Sequence, residues 1–369
     1  MDRFTSPYFR FLPCRYEMSD FIESITGERV KDIALFPFSS CNPAFYIEIE
    51  SKRKEKTHMV VRGEQQNDLE VNDADERSLE KEIFIYKLLQ RLGLNNVDVK
   101  FHGRIFSVPG YDQTCDVVEN FSFFIMDYAN GIAADRKIKT DSIKEKLSRF
   151  DQIAKVYALL HENSGKVYGI LGSSGFVKNA YNKLEEFLLY LLRSKALLAA
   201  KLLDNTLAEE VFRFCNTTIP TFCADLESSG YLPQPRLGLY DGFAGNMLIS
   251  DDFISLIDMD LVGYYEPATD FSPFIFSLKN ILFIQTGEGT FWDYFLSCYL
   301  KYGGVLPEKE LLNQMILIMT VNLALHNVIY CKNHLGASKR KNTVYMIRLA
   351  RSLMSLTSPD IKQIVRAMD

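Results

Sequence analysis

The sequence contains no C-x-x-C pair, and its seven cysteines (Cys14, Cys41, Cys115, Cys215, Cys223, Cys298 and Cys331) form an odd, scattered set. This pattern argues against a zinc site or a disulfide framework and for reduced thiols in a cytoplasmic protein. An uninterrupted apolar core is missing from the first residues, M-D-R-F-T-S-P-Y-F-R-F, so no secretory signal is expected. Positive charge is in deficit, with 42 Lys and Arg against 47 Asp and Glu. The net charge of −5 lacks the footprint of a nucleic-acid binder and agrees, weakly, with a cationic partner. Internal repeats and low-complexity tracts are absent. The most apolar run, Met315 to Tyr330, is interrupted by Thr320, Asn322, His326 and Asn327, which fits a buried helix rather than a membrane span.

What is present is a chain of 369 residues, 47% hydrophobic and 24% charged, able to bury a large core as one bilobal unit or two domains. Its first third alternates like strands and its remainder has helical period, so the expected class is α+β. Strands are predicted at Val30–Leu35, Ala44–Glu50, Thr57–Arg62, Val97–Phe106 and Phe121–Met126, forming a five-stranded sheet. A short helix is expected around Asp20–Ile25, stopped at Thr26-Gly27, and a longer one over Ser78–Leu92, stopped at Gly93. Beyond Gly131, helices are predicted over Ser142–Ser164, Tyr181–Leu203, Leu207–Leu226, Ser272–Ile284, Phe291–Tyr302, Glu308–Tyr330 and Asn342–Met354.

The stretch Arg236 to Phe271 carries the chemistry. Asp241 and Asn246 lie in a loop loosened by Gly242 and Gly245. Met247–Ile249 and Phe253–Ile257 flank Ser250-Asp251-Asp252 and read as a β-hairpin. Such a hairpin returns Asp258 to the side of Asn246, so that Asp241, Asn246 and Asp258 face one cleft. One carboxylate positioning an acceptor hydroxyl, with an amide oxygen and a second carboxylate on Mg²⁺, is what phosphoryl transfer requires. Asp251 and Asp252 are better read as turn formers bonding their own backbone.

This segment resembles the core of the aminoglycoside phosphotransferase/choline kinase-like family, relatives of the protein kinases. Their pattern is roughly H-G-D-x-x-x-x-N, a hairpin, I-D-W-[DE], then D-P-x-x-D-[LF]. Leu239 and Tyr240 stand where the family has His and Gly, while Asp241, Asn246, Asp258 and Glu266-Pro267…Asp270-Phe271 match. The resemblance implies a bilobal protein kinase-like fold: residues 1–127 as a nucleotide-binding lobe with a five-stranded antiparallel sheet plus one helix, and residues 128–369 as a mainly helical catalytic and acceptor-binding lobe. It further implies ATP or GTP with Mg²⁺ as cofactors, Asp241 as the base, and Asn246 and Asp258 as metal ligands. Ser39, Ser40 and Asn42, in the glycine-free turn before Ala44-Phe45-Tyr46, would cover the phosphates. Arg62 would grip them, held by Glu82, with Glu80 the competing partner. Met126 and Tyr128 fall in the hinge-like Met126-Asp127-Tyr128-Ala129-Asn130-Gly131 and would border the adenine.

His161, in Ile153-Ala154-x-x-Tyr157-Ala158-Leu159-Leu160-His161, is expected to be buried and to brace the loop, and Asp270 to tie it down. Glu266, Asp293 and Glu288 are candidate contacts for a cationic acceptor. The activity implied is O-phosphorylation of a small hydroxylated molecule: an antibiotic, an amino alcohol, a sugar, a nucleoside or a homoserine-like metabolite. Two alternatives stand beside it. One is a kinase-like module without turnover, motivated by Leu239 and the glycine-free turn. The other is a haloacid dehalogenase-like phosphatase, motivated by Asp258-x-Asp260-x-Val262 after a hydrophobic strand.

Overall fold

The structure, a computed structural model, describes residues 15–36, 44–51, 56–64, 79–94, 97–106, 120–202, 205–251, 253–259, 261–287, 289–334, 340–357 and 359–368. Ser39, Ser40, Asn42, Asp252, Asp260 and Glu288 therefore lie outside the described residues. The chain divides into two compact units, one of Met1–Asn130 with Ser173–Gly175, the other of Gly131–Gly172 with Phe176–Asp369.

The first unit contains α1 (Arg15–Thr26), β1 (Arg29–Leu35), β2 (Ala44–Glu50), β3 (Lys56–Glu64), α2 (Leu79–Arg91), β4 (Val99–Phe106) and β5 (Asn120–Asp127). The five strands form one sheet in the order β1-β2-β3-β5-β4, every neighbouring pair antiparallel. Lys56, one residue before the expected start, opens β3 and pairs with Glu50. Period-2 alternation puts Phe45, Ile47 and Ile49 on the buried face, where Met59, Val61, Phe123 and Ile125 join them. Besides α2, a second helix serves this sheet: α1 sends Met18 and Ile22 into the same cluster. Both helices stop at a left-handed glycine, Gly27 and Gly93, each at φ +69°.

The second unit opens with β6 (Ile132–Ala133), α3 (Ala134–Thr140), α4 (Ile143–Glu162), β7 (Tyr168–Leu171), β8 (Val177–Tyr181), α5 (Leu184–Leu202) and α6 (Asn205–Ser228). Next come β9 (Arg236–Gly238), β10 (Met247–Ile249), β11 (Ile254–Leu256), β12 (Gly263–Tyr265) and α7 (Phe271–Leu282). It closes with β13 (Gln285–Thr286), β14 (Gly289–Thr290), α8 (Phe291–Lys301), α9 (Lys309–His334), α10 (Arg340–Met354) and α11 (Ile361–Ala367). Ser142 and Glu145 close a capping box at the start of α4, which fixes where that helix begins. The short strands form two small antiparallel sheets, β11-β10-β6 and β8-β7-β12-β9, plus the β13-β14 ribbon. The sequence pattern did not announce β7, β8 or β12: strands of three to five residues carry too few alternations to register. Among the described residues α9 has the one segment long and apolar enough to cross a membrane, and 72% of that window is buried inside the protein.

Candidate active site

The loop between β9 and β10 is held from below by one carboxylate. Asp270, fully buried, accepts the Leu239 N–H at 2.7 Å and the Tyr240 N–H at 2.8 Å. His161 Nε2 donates to the same carboxylate at 3.2 Å, which leaves Nδ1 to accept the Tyr299 hydroxyl at 2.9 Å in the neutral ring. Burial, with Glu266 and Asp270 nearby, pushes the Tyr299 phenol far up, so it remains a donor. His161 is thus a brace, as the sequence suggested. From above, the Tyr157 hydroxyl donates to the Gly242 carbonyl at 3.0 Å, and the Ala244 N–H donates to Ser277 Oγ at 3.0 Å. A Cβ at Gly242 would stand 2.6 Å from that hydroxyl, which explains glycine there.

Within the loop, the Phe243 N–H donates to the Asp241 carbonyl at 2.7 Å and the Asn246 N–H to the Phe243 carbonyl at 2.9 Å. A single turn of 3₁₀ helix, Ala244–Asn246, results. Asn246 Nδ2 also donates to the Asp241 carbonyl at 3.1 Å. That bond turns the amide so that its oxygen is the end left for a cation. The hairpin then pairs Met247 with Leu256 and Ile249 with Ile254, and the Ile257 N–H returns to the Asn246 carbonyl at 2.9 Å. Asp258 follows directly, in the left-handed region at φ +61°. Such a backbone costs a non-glycine residue roughly 1 kcal/mol or more and persists where surrounding structure imposes it. Asp241, Asn246 and Asp258 are therefore drawn to one corner of the second unit, all half-buried. An amide oxygen and a carboxylate are hard oxygen donors of the kind Mg²⁺ takes from protein, its remaining ligands being water and phosphate. Among the described residues no group of three or more His, Cys, Asp or Glu forms a closed metal cage.

The first unit carries the other candidates. Arg62 Nε donates to Glu82 Oε2 at 2.9 Å, and both side chains are largely buried, 12% and 1% exposed. Glu80 faces solvent, so Glu82 is the partner of the two. Met126 is buried and pairs with Val60, while the Tyr128 N–H donates to the His58 carbonyl at 3.2 Å.

Two acidic candidates have other work. Glu266 is 1% exposed, accepts the Tyr231 hydroxyl at 2.5 Å and the Ala268 N–H at 2.7 Å, and caps the turn at Pro267–Asp270. Burial pushes its carboxyl up to about 7. Asp293 closes the capping box of α8 with Thr290. Buried and spent on backbone and hydroxyl donors, Glu266 is not a contact for a cationic acceptor, whereas Asp293 is exposed and uses Oδ2 alone in its cap. The phosphatase-like pattern fares no better, because β11, which leads to Asp258, is a hairpin strand in an antiparallel sheet. A central parallel strand would be needed there.

Three residues to which the sequence assigned no part in the site surround Tyr240, which sits at φ +57°. Its ring packs on Tyr265 at 5.2 Å, and Lys195 and Asn322 meet its hydroxyl. The available signal was the substitution itself: a tyrosine where the family pattern has glycine needs an outside hold.

No family model and no curated protein matches the sequence. Solved structures do match the fold. The gentamicin complex of APH(2")-IIa aligns over 96% of this chain and 99% of its own, at 14% identity and TM-score 0.57. The GDP complex of wild-type aminoglycoside 2'-phosphotransferase-IIIa aligns over 93% and 99%, at 14% identity and TM-score 0.58. A choline/ethanolamine kinase family protein from Mesorhizobium loti aligns over 92% of both chains, at 12% identity and TM-score 0.53. At such identities the likeness establishes the fold.

Proposed function

We propose, from the premise that this chain has the protein kinase-like fold of the aminoglycoside phosphotransferases and choline/ethanolamine kinases, that it is a small-molecule O-phosphotransferase. It would move the γ-phosphate of ATP or GTP to a hydroxyl of a small acceptor, with Mg²⁺, in the cytoplasm. The observation that carries this reading is the convergence of Asp241, Asn246 and Asp258 through a 3₁₀ turn and a three-residue-per-strand hairpin.

Asp241 accepts the acceptor's hydroxyl proton and aims its oxygen, a contribution worth about 10²–10⁴ in rate. Asn246 Oδ1 and the Asp258 carboxylate would hold the metal, which when bound would supply neutralisation of the phosphate charge. Arg62, kept in place by Glu82, steadies the nucleotide phosphates. Met126 and Tyr128 border the base, whose edge reads backbone groups of the segment after β5. Ser39, Ser40 and Asn42 are assigned to the phosphate cover by resemblance alone. The Asp270–His161–Tyr299 chain holds the loop and takes no part in proton transfer.

A thermal-shift screen of ATP and GTP with Mg²⁺, followed by acceptor pools assayed for nucleoside diphosphate release, tests the proposal. Mg²⁺-dependent stabilisation followed by acceptor-dependent release supports it; no stabilisation by either nucleotide refutes it. The second reading, a nucleotide-binding module without turnover, is favoured by Leu239 and Tyr240 replacing His-Gly. It predicts the nucleotide shift with no release from any pool.

A further inference from the structure

Lys195 is the cation in the buried stripe of α5, with Leu191 one turn before it and Ala199 one turn after, both buried. Its Nζ lies 3.0 Å from the Tyr240 hydroxyl and 2.6 Å from Asn322 Oδ1. Asn322 Nδ2 in turn donates to the same hydroxyl at 2.7 Å. The chemistry fixes the directions. An ammonium only donates, so Asn322 must turn its oxygen to Lys195 and its nitrogen to Tyr240. The Tyr240 oxygen then accepts twice, which uses both its lone pairs.

Two donors stay uncommitted among the described residues: the Tyr240 O–H proton and one N–H of Lys195. They stand side by side, one fully charged. Both of the cation's partners are neutral, and no ion pair among the described residues includes it. A half-buried ammonium among apolar neighbours without a counter-charge is costly, and an anion in that place offsets the cost. Tyr240 directly precedes Asp241 in the chain, so the loop that carries one of these donors also carries the candidate base. Of the carboxylates expected to hold a cationic acceptor, Glu266 is buried and committed elsewhere.

We propose that Lys195 and Tyr240 form an anion subsite of the acceptor pocket, and that the acceptor is a hydroxy acid, its carboxylate seated on these two donors while its hydroxyl faces Asp241. The inference rests on the phosphotransferase reading for the word acceptor; the anion subsite itself rests on the Lys195–Tyr240–Asn322 triangle.

Glycerate, glycerol and 3-amino-1,2-propanediol share a diol and differ in the charge of the third group, so they serve as probes. In the presence of ADP and Mg²⁺, glycerate should raise the melting temperature in a saturable manner, and the other two should not. Lys195→Met, which suits the apolar stripe, should weaken apparent glycerate affinity about 10–100-fold, as loss of a charged hydrogen bond does. Lys195→Arg should restore most of it, and Tyr240→Phe should fall between. Absence of a glycerate shift, an equal shift with the amine, or a glycerate shift unchanged in Lys195→Met would overturn the proposal. Inorganic phosphate is the control for source: if it binds as well as glycerate and also depends on Lys195, the site holds free oxyanions and the acceptor assignment falls. Nucleotide binding is scored separately. Lys195-dependent glycerate binding without any nucleotide shift would sink the phosphotransferase reading and leave the anion subsite standing.

Discussion

The proposed function gives Asp241 and Asp258 different duties, and two single substitutions separate them. Asp241→Asn keeps size and hydrogen bonding but removes the base, so turnover should drop by about 10²–10⁴ while nucleotide affinity holds. Single-turnover kinetics beside calorimetric titration of the nucleotide measure both. Asp258→Ala removes a metal oxygen, so the Mg²⁺-dependent part of nucleotide affinity should vanish; an unchanged dependence on Mg²⁺ would refute its assignment. Tyr240 shows how a residue scale departure is tolerated. Its left-handed backbone, comfortable for glycine, is held here by hydrogen bonds from Lys195 and Asn322 and by packing on Tyr265.

The loop between β9 and β10 is an element with two clamps, and each clamp makes its own prediction. Asp270→Ala strands the Leu239 and Tyr240 N–H groups and the His161 ring in a buried place. A buried donor left without its acceptor costs about 1–3 kcal/mol, to be read from urea unfolding. Gly242→Ala drives a methyl toward the Tyr157 hydroxyl, so activity should fall more than stability. The double variant with Tyr157→Phe removes the clashing oxygen and should regain part of the loss; no regain would place the damage elsewhere. The hairpin needs no such clamp, since Met247, Ile249, Ile254 and Leu256 are all buried and fix its register.

For the whole molecule the informative group is Glu266. Its carboxyl is raised from an ordinary 4.5 to about 7 by burial, more than the Tyr231 and Ala268 bonds lower it. The folded state thus holds a proton more tightly than the unfolded one. Stability from this group is complete below pH 4.5 and is lost as pH rises through 7, a change of about 3 kcal/mol. Unfolding free energies of wild type and Glu266→Gln should therefore diverge between pH 5 and 8, with the variant the flatter of the two.

Alternation and helical period sufficed for the sheet of five strands, for α2, for the long helices and for the Met247–Leu256 hairpin, because each buries one face over enough residues to leave a period. The closeness of Asp241, Asn246 and Asp258 was legible for a related reason: a short loop and a tight hairpin make sequence spacing a measure of distance. Resemblance supplied what periodicity does not, the candidate roles of Arg62, Met126 and Tyr128. Tertiary structure alone decided the rest. Whether Arg62 met Glu80 or Glu82 depended on how α2 turned toward β3, and Glu266 and Asp293 proved to be caps because the turns beside them offered donors. Lys195, Tyr240 and Asn322 lie on three separate elements, and no local pattern encodes their meeting, since a contact between distant segments is set by packing and leaves no period in the chain.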